Sequence, residues 1–214
     1  MINKFSQINQ SPWLIDIYKK HLPEIGFLVE IGVGHTIQGI DKIFKETLQE
    51  IREFERCGSN TADLLDGGWS GIYIEPVAEY CEEAKIAHKN NSDRLQIVNL
   101  GAGNTSAELQ LYLGDSFVLN KYSDLGYPWI GRFVKIKPTS DILSQYECPK
   151  EFELLSIDVE GFEKEVIDGI DFLKHFPKMI IVETNVVSKE EISKLLPNDY
   201  SIIAGDHLNT VWVK

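Results

Sequence analysis

Apolar positions in this chain recur with two periods, and the switching between them predicts the layout of the fold. Short apolar runs read as strands over 27–31 (FLVEI), 71–75 (GIYIE), 95–100 (LQIVNL), 154–157, 179–182, 200–204 and 210–213. Helical spacing puts Trp13, Leu14, Ile17 and Tyr18 on one face up to about His21, behind Ser11-Pro12 as cap and first helical residue. Residues 41–55 place Ile43, Phe44, Thr47, Leu48, Ile51 and Phe54 on one face and charges on the other, a helix stopped by Gly58. Ser59-Asn60-Thr61 then caps a short helix that ends at the Gly67-Gly68 turn. Pro76 bars the second strand from continuing and lets a helix start, from Val77 to about Lys89. Leu109-Leu111-Leu113 and residues 133–137 alternate, as exposed or edge strands do.

Strands separated by helices imply crossover connections and therefore a doubly wound, mostly parallel α/β sheet covered on both faces. The last two strands are joined only by Gly205-Asp206-His207-Leu208-Asn209, too short for a crossover, so they are expected to pair as an antiparallel hairpin. A chain of 214 residues without repeats or a Pro/Gly/Ser linker reads as one domain over 1–214. Within it, 1–26 is a helical N-terminal segment and 35–70 a helical insertion in the first crossover. The balance of 21 Lys and Arg against 33 Asp and Glu gives a net charge of −12, a field that repels phosphate backbones and anionic membranes. Neither a nucleic-acid nor a membrane partner is expected; oligomeric state is open. Cys57, Cys81 and Cys148 form neither a disulfide framework nor a metal knuckle, and with no secretory or membrane-spanning apolar run the reading is a cytoplasmic protein.

Ligands of such sheets bind beyond the carboxyl ends of the strands, so those residues carry the candidate chemistry. The first strand runs into Glu30-Ile31-Gly32-Val33-Gly34, where two glycines let backbone approach a ligand; a tight strand-to-helix turn accounts for them equally well. The second ends at Glu75, where an acid either accepts the ribose hydroxyls of an adenosine-type ligand or stands as a solvated strand end. A dinucleotide site would bring that acid about 20 residues after G-x-G-x-x-G. Here it comes 45 residues after Glu30, and Ile37 replaces the third glycine, so a dinucleotide is disfavoured.

The segment 154–169 (LLSIDVEGFEKEVIDG) is the most informative. Its Asp158, Glu160, Gly161, Glu163, Val166 and Gly169 match a hydrophobic-Lys-x-Asp-x-Glu-Gly-x-Glu run followed by Val-Leu-x-Gly; in this the chain resembles the FkbM family of S-adenosylmethionine-dependent methyltransferases. Ser59-Asn60-Thr61, Gly68-Trp69-Ser70-Gly71 and Glu75-Pro76 are similar to a Ser-Asn-Thr…Gly-Trp-x-Gly…Glu-Pro stretch of one branch of it. The resemblance spans about 27–183, with departures: Glu30 for the usual Asp, Gly34 and Thr36 for an Asn and a Gly, and Ser156 for Lys. It implies a class I methyltransferase fold, Rossmann-like, whose sheet also ends with an antiparallel strand. It implies S-adenosylmethionine with Glu30, Gly32 and Gly34 at the methionine and ribose, Glu75 and Pro76 at the ribose, and the loop Leu100-Gly101-Ala102 at adenine. Ser59, Asn60 and Thr61 would add polar contacts, and Asp158 would face the sulfonium and the acceptor.

Methyl transfer to a hydroxyl needs a base about 2.6–3.2 Å from the oxygen, or a metal that acidifies it. Asp158 is the first candidate and Glu160 the second; alternatively they cap the next helix and favour its dipole. His35 and His207 fall in loops, where histidines are usually solvated. Asp158, Glu160 and Glu183 are hard ligands for a divalent cation, yet their spacing specifies no metal. Tyr122, Tyr127, Trp129 and Arg132 suit an acceptor loop or, equally, a cover for the edge of the core. The reading is an O-methyltransferase acting on a sugar or glycan hydroxyl. The rivals are a nucleic-acid or other small-molecule methyltransferase, which for an exocyclic amine wants an Asn/Asp-Pro-Pro-aromatic strand end, and a non-catalytic cofactor-binding module.

Overall fold

The computed structural model describes residues 13–33, 59–113, 118–119 and 130–214. The helix read over 41–55, the Ser11-Pro12 cap, Gly34, His35, Cys57 and the aromatic stretch around Tyr122, Tyr127 and Trp129 lie outside them. The strands in chain order are β1 (Phe27–Ile31), β2 (Ser70–Ile74), β3 (Leu95–Val98), β4 (Gly101–Gly103), β5 (Ala107–Leu113), β6 (Val118–Leu119), β7 (Ile130–Pro138), β8 (Glu151–Ile157), β9 (Phe176–Glu183), β10 (Ser201–Gly205) and β11 (Asn209–Val213). The described helices are α1 (Leu14–His21), α2 (Ala62–Asp66), α3 (Ala78–Ala87), α4 (Thr139–Gln145), α5 (Glu163–Asp168) and α6 (Lys189–Leu195).

Seven strands form one sheet in the order β10-β11-β9-β8-β1-β2-β3. β1, β2, β3, β8 and β9 pair in parallel, while β11 runs antiparallel between β9 and β10, so the expected hairpin is inserted as a unit. Period-two alternation splits the inner strands between two cores. Val29, Ile31, Ile72, Ile74, Leu155, Ile157, Ile180 and Val182 face α4, α5 and α6. Leu28, Tyr73, Leu154, Met179 and Ile181 face α1 and α2.

One expectation is corrected. The run 95–100 is not one strand: β3 leaves the sheet after Val98, and Gly101–Gly103 starts a second sheet of order β4-β7-β5-β6. In that sheet the two alternating segments pair with each other antiparallel, Ala107 opposite Ile136 through Leu113 opposite Ile130. Alternation identifies a strand that is half covered, but it does not name the partner. Among the described residues no helix is long and apolar enough to cross a membrane.

On α3, Glu83 is 3% exposed and its Oε2 meets no donor among the described residues. Burial first, and Glu79 second, push its carboxyl up to about 7. The folded chain therefore holds this proton more tightly than the unfolded chain, and the stabilisation is lost as pH rises from about 4.3 through about 7. Thermal melts should show the midpoint falling between about pH 4.5 and 7, and Glu83→Gln should flatten that fall and match or exceed the parent at the alkaline end. An unchanged slope in the variant would remove Glu83 from this role.

Candidate active site

One polar rung crosses the sheet on the α1/α2 side. Glu30 lies opposite Tyr73 on β2 and Ser156 on β8. All three are fully buried. The Glu30 carboxylate accepts from the Asn60 amide (2.9 Å), Ser59 Oγ (2.8 Å) and Thr61 Oγ1 (2.6 Å). Ser59 and Thr61 are also within 3.1 and 3.0 Å of the Tyr73 hydroxyl, and Asn60 Nδ2 reaches Ser156 Oγ at 3.4 Å. Ser59 Oγ accepts the Thr61 and Ala62 amides as well, which fixes the start of α2. Burial raises the Glu30 pKa, and the hydroxyl and amide donors oppose that rise. Glu30, Ser59 and Thr61 thus bind one another, and this mutual task is what their buried polar atoms do here.

Three strand ends converge beside this rung. The Gly32 amide donates to Ile74 O at 3.0 Å, and the Asp158 amide donates to Ile31 O at 2.9 Å, so the turn after β1 is clasped by β2 on one side and β8 on the other. Gly32 has φ +78°, and a Cβ there would lie 1.7 Å from the Asp158 carbonyl oxygen, so only glycine fits. Glu75, at the end of β2, is buried and its Oε1 accepts the Val77 amide at 2.8 Å ahead of α3. Asn99 donates through Nδ2 to the carbonyl oxygens of Glu75 (3.1 Å) and Pro76 (2.9 Å), tying the end of β3 to the same turn. Glu75, Gly32 and Asp158 therefore line one edge in that order.

Past Asp158 the chain turns sharply, with φ +52° at Glu160 and +96° at Gly161. Glu163 closes the turn by accepting the Gly161 amide (2.9 Å) and the Val159 amide (3.3 Å) on Oε1. Carboxylate atoms of Asp158, Glu160 and Glu183 lie within 4.8 Å of one another, Glu183 arriving at the end of the neighbouring β9. Asn185 Nδ2 donates to Glu183 Oε1 at 3.0 Å. Burial and the nearby Glu183 raise the Asp158 pKa well above the usual carboxyl range, and burial with Glu183 and Glu163 pushes Glu160 up to about 7. Glu163 and Asn185 were not legible as parts of this site. The E-G-x-E spacing and the polar pair after the β9 apolar run were the available signals.

Residues 53–202, well over half of the chain, match the model of the Methyltransferase FkbM domain. The chain belongs to the FkbM methyltransferase family. The match starts after β1, later than the motif resemblance that begins near residue 27, and runs on to β10. Methyltransferase FkbM from Methylobacillus flagellatus KT superposes with TM-score 0.53 at 14% identity, covering 89% of this chain and 44% of that one. The 16S rRNA N2 G1207 methyltransferase of T. thermophilus, solved with AdoMet and guanosine, superposes with TM-score 0.52 at 8% identity, covering 99% of this chain and 44% of its own. At these identities the likeness shows the fold, that of a class I methyltransferase. The chain spans less than half the length of either structure. No curated protein matches it significantly.

Within this FkbM chain, Gly169 of the family motif serves packing: a Cβ there would lie 1.7 Å from Gly103 O and 3.0 Å from the Thr139 amide nitrogen. Gly101 and Ala102, expected in a loop, are buried in β4 against β7, and a Cβ on Gly101 would meet Ile136 Cδ1 at 2.2 Å. Of that expected adenine loop only Leu100 precedes the strand, and it reaches the surface in part. His207 is exposed in the turn between β10 and β11. The rung yields a stability prediction: Glu30→Ala leaves the Ser59, Asn60 and Thr61 donors without their acceptor, at about 1–3 kcal/mol for each orphaned group. Urea denaturation should show a loss on the order of 3–5 kcal/mol, with Glu30→Gln milder. A loss below about 1 kcal/mol would mean that the rung does not hold the segment.

Proposed function

We propose that this FkbM chain transfers a methyl group from S-adenosylmethionine to a hydroxyl of a sugar or glycan. The observation that carries the reading is the convergence of Glu75, Gly32 and Asp158 at one sheet edge, clasped by the Gly32–Ile74 and Asp158–Ile31 hydrogen bonds. The donor set suits the cofactor: carboxylates that can accept from hydroxyl and ammonium groups flank a glycine turn that lets the β8 backbone close against β1, bringing Asp158 beside it. S-adenosylmethionine, when bound, supplies a methyl group on a cationic sulfonium. Glu75 and Pro76 take the ribose end, Gly32 the methionine side, and Asp158 faces the reacting centre. Glu30, Ser59, Asn60 and Thr61 act behind that surface, holding the inserted segment against β1. Leu100, rather than the buried Gly101 and Ala102, borders the adenine.

A hydroxyl acceptor loses a proton as its oxygen is methylated, and Asp158 is placed to take it. Burial and the neighbouring acids favour the protonated carboxyl, which makes Asp158 a stronger base than an exposed aspartate. Glu160, about as basic as neutral water chemistry requires, stands next to it. The likeness to an RNA methyltransferase favours no RNA reading here, because a net charge of −12 repels a phosphate backbone and the strand end reads Ile-Asp-Val-Glu-Gly. The reading places the chain in the reducing cytoplasm, with Cys81 and Cys148 free and buried.

The test is transfer of labelled methyl groups to a panel of sugar and glycan alcohols, with calorimetric titration of the cofactor. Asp158→Asn should lower turnover by roughly 10²–10⁴ while changing cofactor affinity far less. Unchanged turnover would remove Asp158 from proton transfer. Glu75→Ala should weaken cofactor binding about tenfold, a loss of two charge-assisted hydrogen bonds in part offset by water. An unaltered dissociation constant would refute the ribose assignment, and saturable cofactor binding without turnover on any alcohol would leave the chain a binding module.

A further inference from the structure

The carboxyl edge of the sheet continues past β9 onto the terminal hairpin. Asn209, the first residue of β11, lies opposite Glu183, the last of β9, so the β10–β11 turn stands beside the strand end that meets Asp158. Facing residues of antiparallel strands are about 5 Å apart and the ends of a tight turn less than about 7 Å, which puts Asp206 roughly 10 Å from the Glu183 backbone. The turn is held from both sides. Asp206 Oδ1 accepts the amides of Leu208 (2.9 Å) and Asn209 (2.7 Å), and from β9 the Thr184 amide donates to Leu208 O at 2.6 Å. The other oxygen of Asp206, Oδ2, accepts the indole N–H of Trp13 at 2.6 Å, from 193 positions earlier in the chain. Trp13 caps the start of α1; it packs in part against the core under α1 and α2 and in part reaches the surface. A lysine or arginine would tether α1 to Asp206 equally well. An indole adds a broad, rigid apolar face whose one polar atom is already spent on the tether.

We propose that Trp13, held by Asp206, is the platform on which a sugar ring of the acceptor stacks, next to the ring whose hydroxyl is methylated. Calling the bound sugar the acceptor rests on the hydroxyl-transfer reading above, whereas sugar binding at Trp13 does not. One face of a sugar ring is made of weakly positive C–H groups, which suit the negative face of an indole, while its rim of hydroxyls needs polar partners. His207, exposed in the same turn, offers a hydrogen-bonding ring to that rim. The opposite flank carries Val186, 54% exposed, which sits against the Gly161 turn where the chain leaves β9 toward the α4–α6 core. The edge around Asp158 is thus bordered by an aromatic surface on one side and a small aliphatic one on the other. Because the platform is offset from the reacting centre along the sheet edge, the acceptor it selects is an oligosaccharide rather than a single sugar.

The experiment uses the isotopically labelled full chain, read by heteronuclear NMR, with maltose, cellobiose, lactose and chitobiose, each beside its own monosaccharides. The Trp13 indole N–H resonance is identified by its loss in Trp13→Phe. It should shift saturably with at least one disaccharide, and the matching monosaccharides should bind at least about tenfold more weakly. In labelled-methyl assays Trp13→Ala should raise KM for that disaccharide about tenfold while kcat stays within about twofold, and Trp13→Phe, which keeps a ring, should fall between. Asp206→Asn keeps an oxygen for the turn amides but sets an amino group against the indole N–H, so it should weaken the same binding about threefold or more with the thermal midpoint kept. This variant and the resonance decide the matter if Trp13→Ala fails to fold. No shift of the Trp13 resonance with any of these sugars up to about 100 mM would overturn the proposal and leave Trp13 a tether between α1 and the hairpin. An unchanged KM in Trp13→Ala, with methyl transfer intact, would overturn it too, and the hydroxyl-transfer reading would stand without the platform. A saturable shift without methyl transfer to any of the sugars would sink that reading and leave the sugar site standing.

Discussion

The Glu30 carboxylate lies wholly inside the protein, where an ionised acid is costly unless donors meet its oxygens. Those donors come from Ser59, Asn60 and Thr61, which are 29 to 31 residues away in sequence. The hydrogen bonds pin the end of a long crossover to the inner strand β1, and α2 starts from there. The same strand provides Ile31 and Gly32, whose backbone clasps β8 and β2. If the rung were lost, the α1/α2 layer would lose its polar anchor and the edge that carries the site its backing.

One residue type is used in two opposite ways. Glu30 is met by an amide and two hydroxyls, with Tyr73 behind them, so its burial is compensated by the chain itself. At the ends of β8 and β9 the acids mainly face one another, Asp158 and Glu183 sharing a hydrogen bond, and the buried Oε2 of Glu163 has no donor among the described residues. A satisfied buried acid reads as architecture; a poorly satisfied group of them at a sheet edge reads as a place prepared for something else. Glu160 adds to this contrast, since it keeps a left-handed backbone where glycine would be easier.

Much of the parallel sheet could be read in advance because its strands are local signals. Runs such as FLVEI and LLSI are apolar on both faces, and glycine or proline ends them. The short link before Asn209 left the hairpin no other pairing. The second sheet was less legible, because β5 and β7 find each other across an intervening stretch that no alternation rule measures. Gly101 and Ala102 were read as a loop for the same reason: three residues of strand leave almost no pattern, and only Ile136 on β7 explains why a glycine stands there.

By itself the sequence determined where strands stop and which acids stand at their ends, since those follow from side-chain period and from the restricted backbones of glycine and proline. It also carried the E-G-x-E motif that marks the family. Tertiary structure alone decided which acids meet. Asp158 and Glu183 are 25 residues apart in the chain and become neighbours because β8 and β9 pair in parallel, whereas Glu30 is turned to the other task by three donors brought back over the sheet. Chemistry of a carboxylate depends on what surrounds it within a few ångströms, and those surroundings are set by long-range packing, which no local pattern encodes.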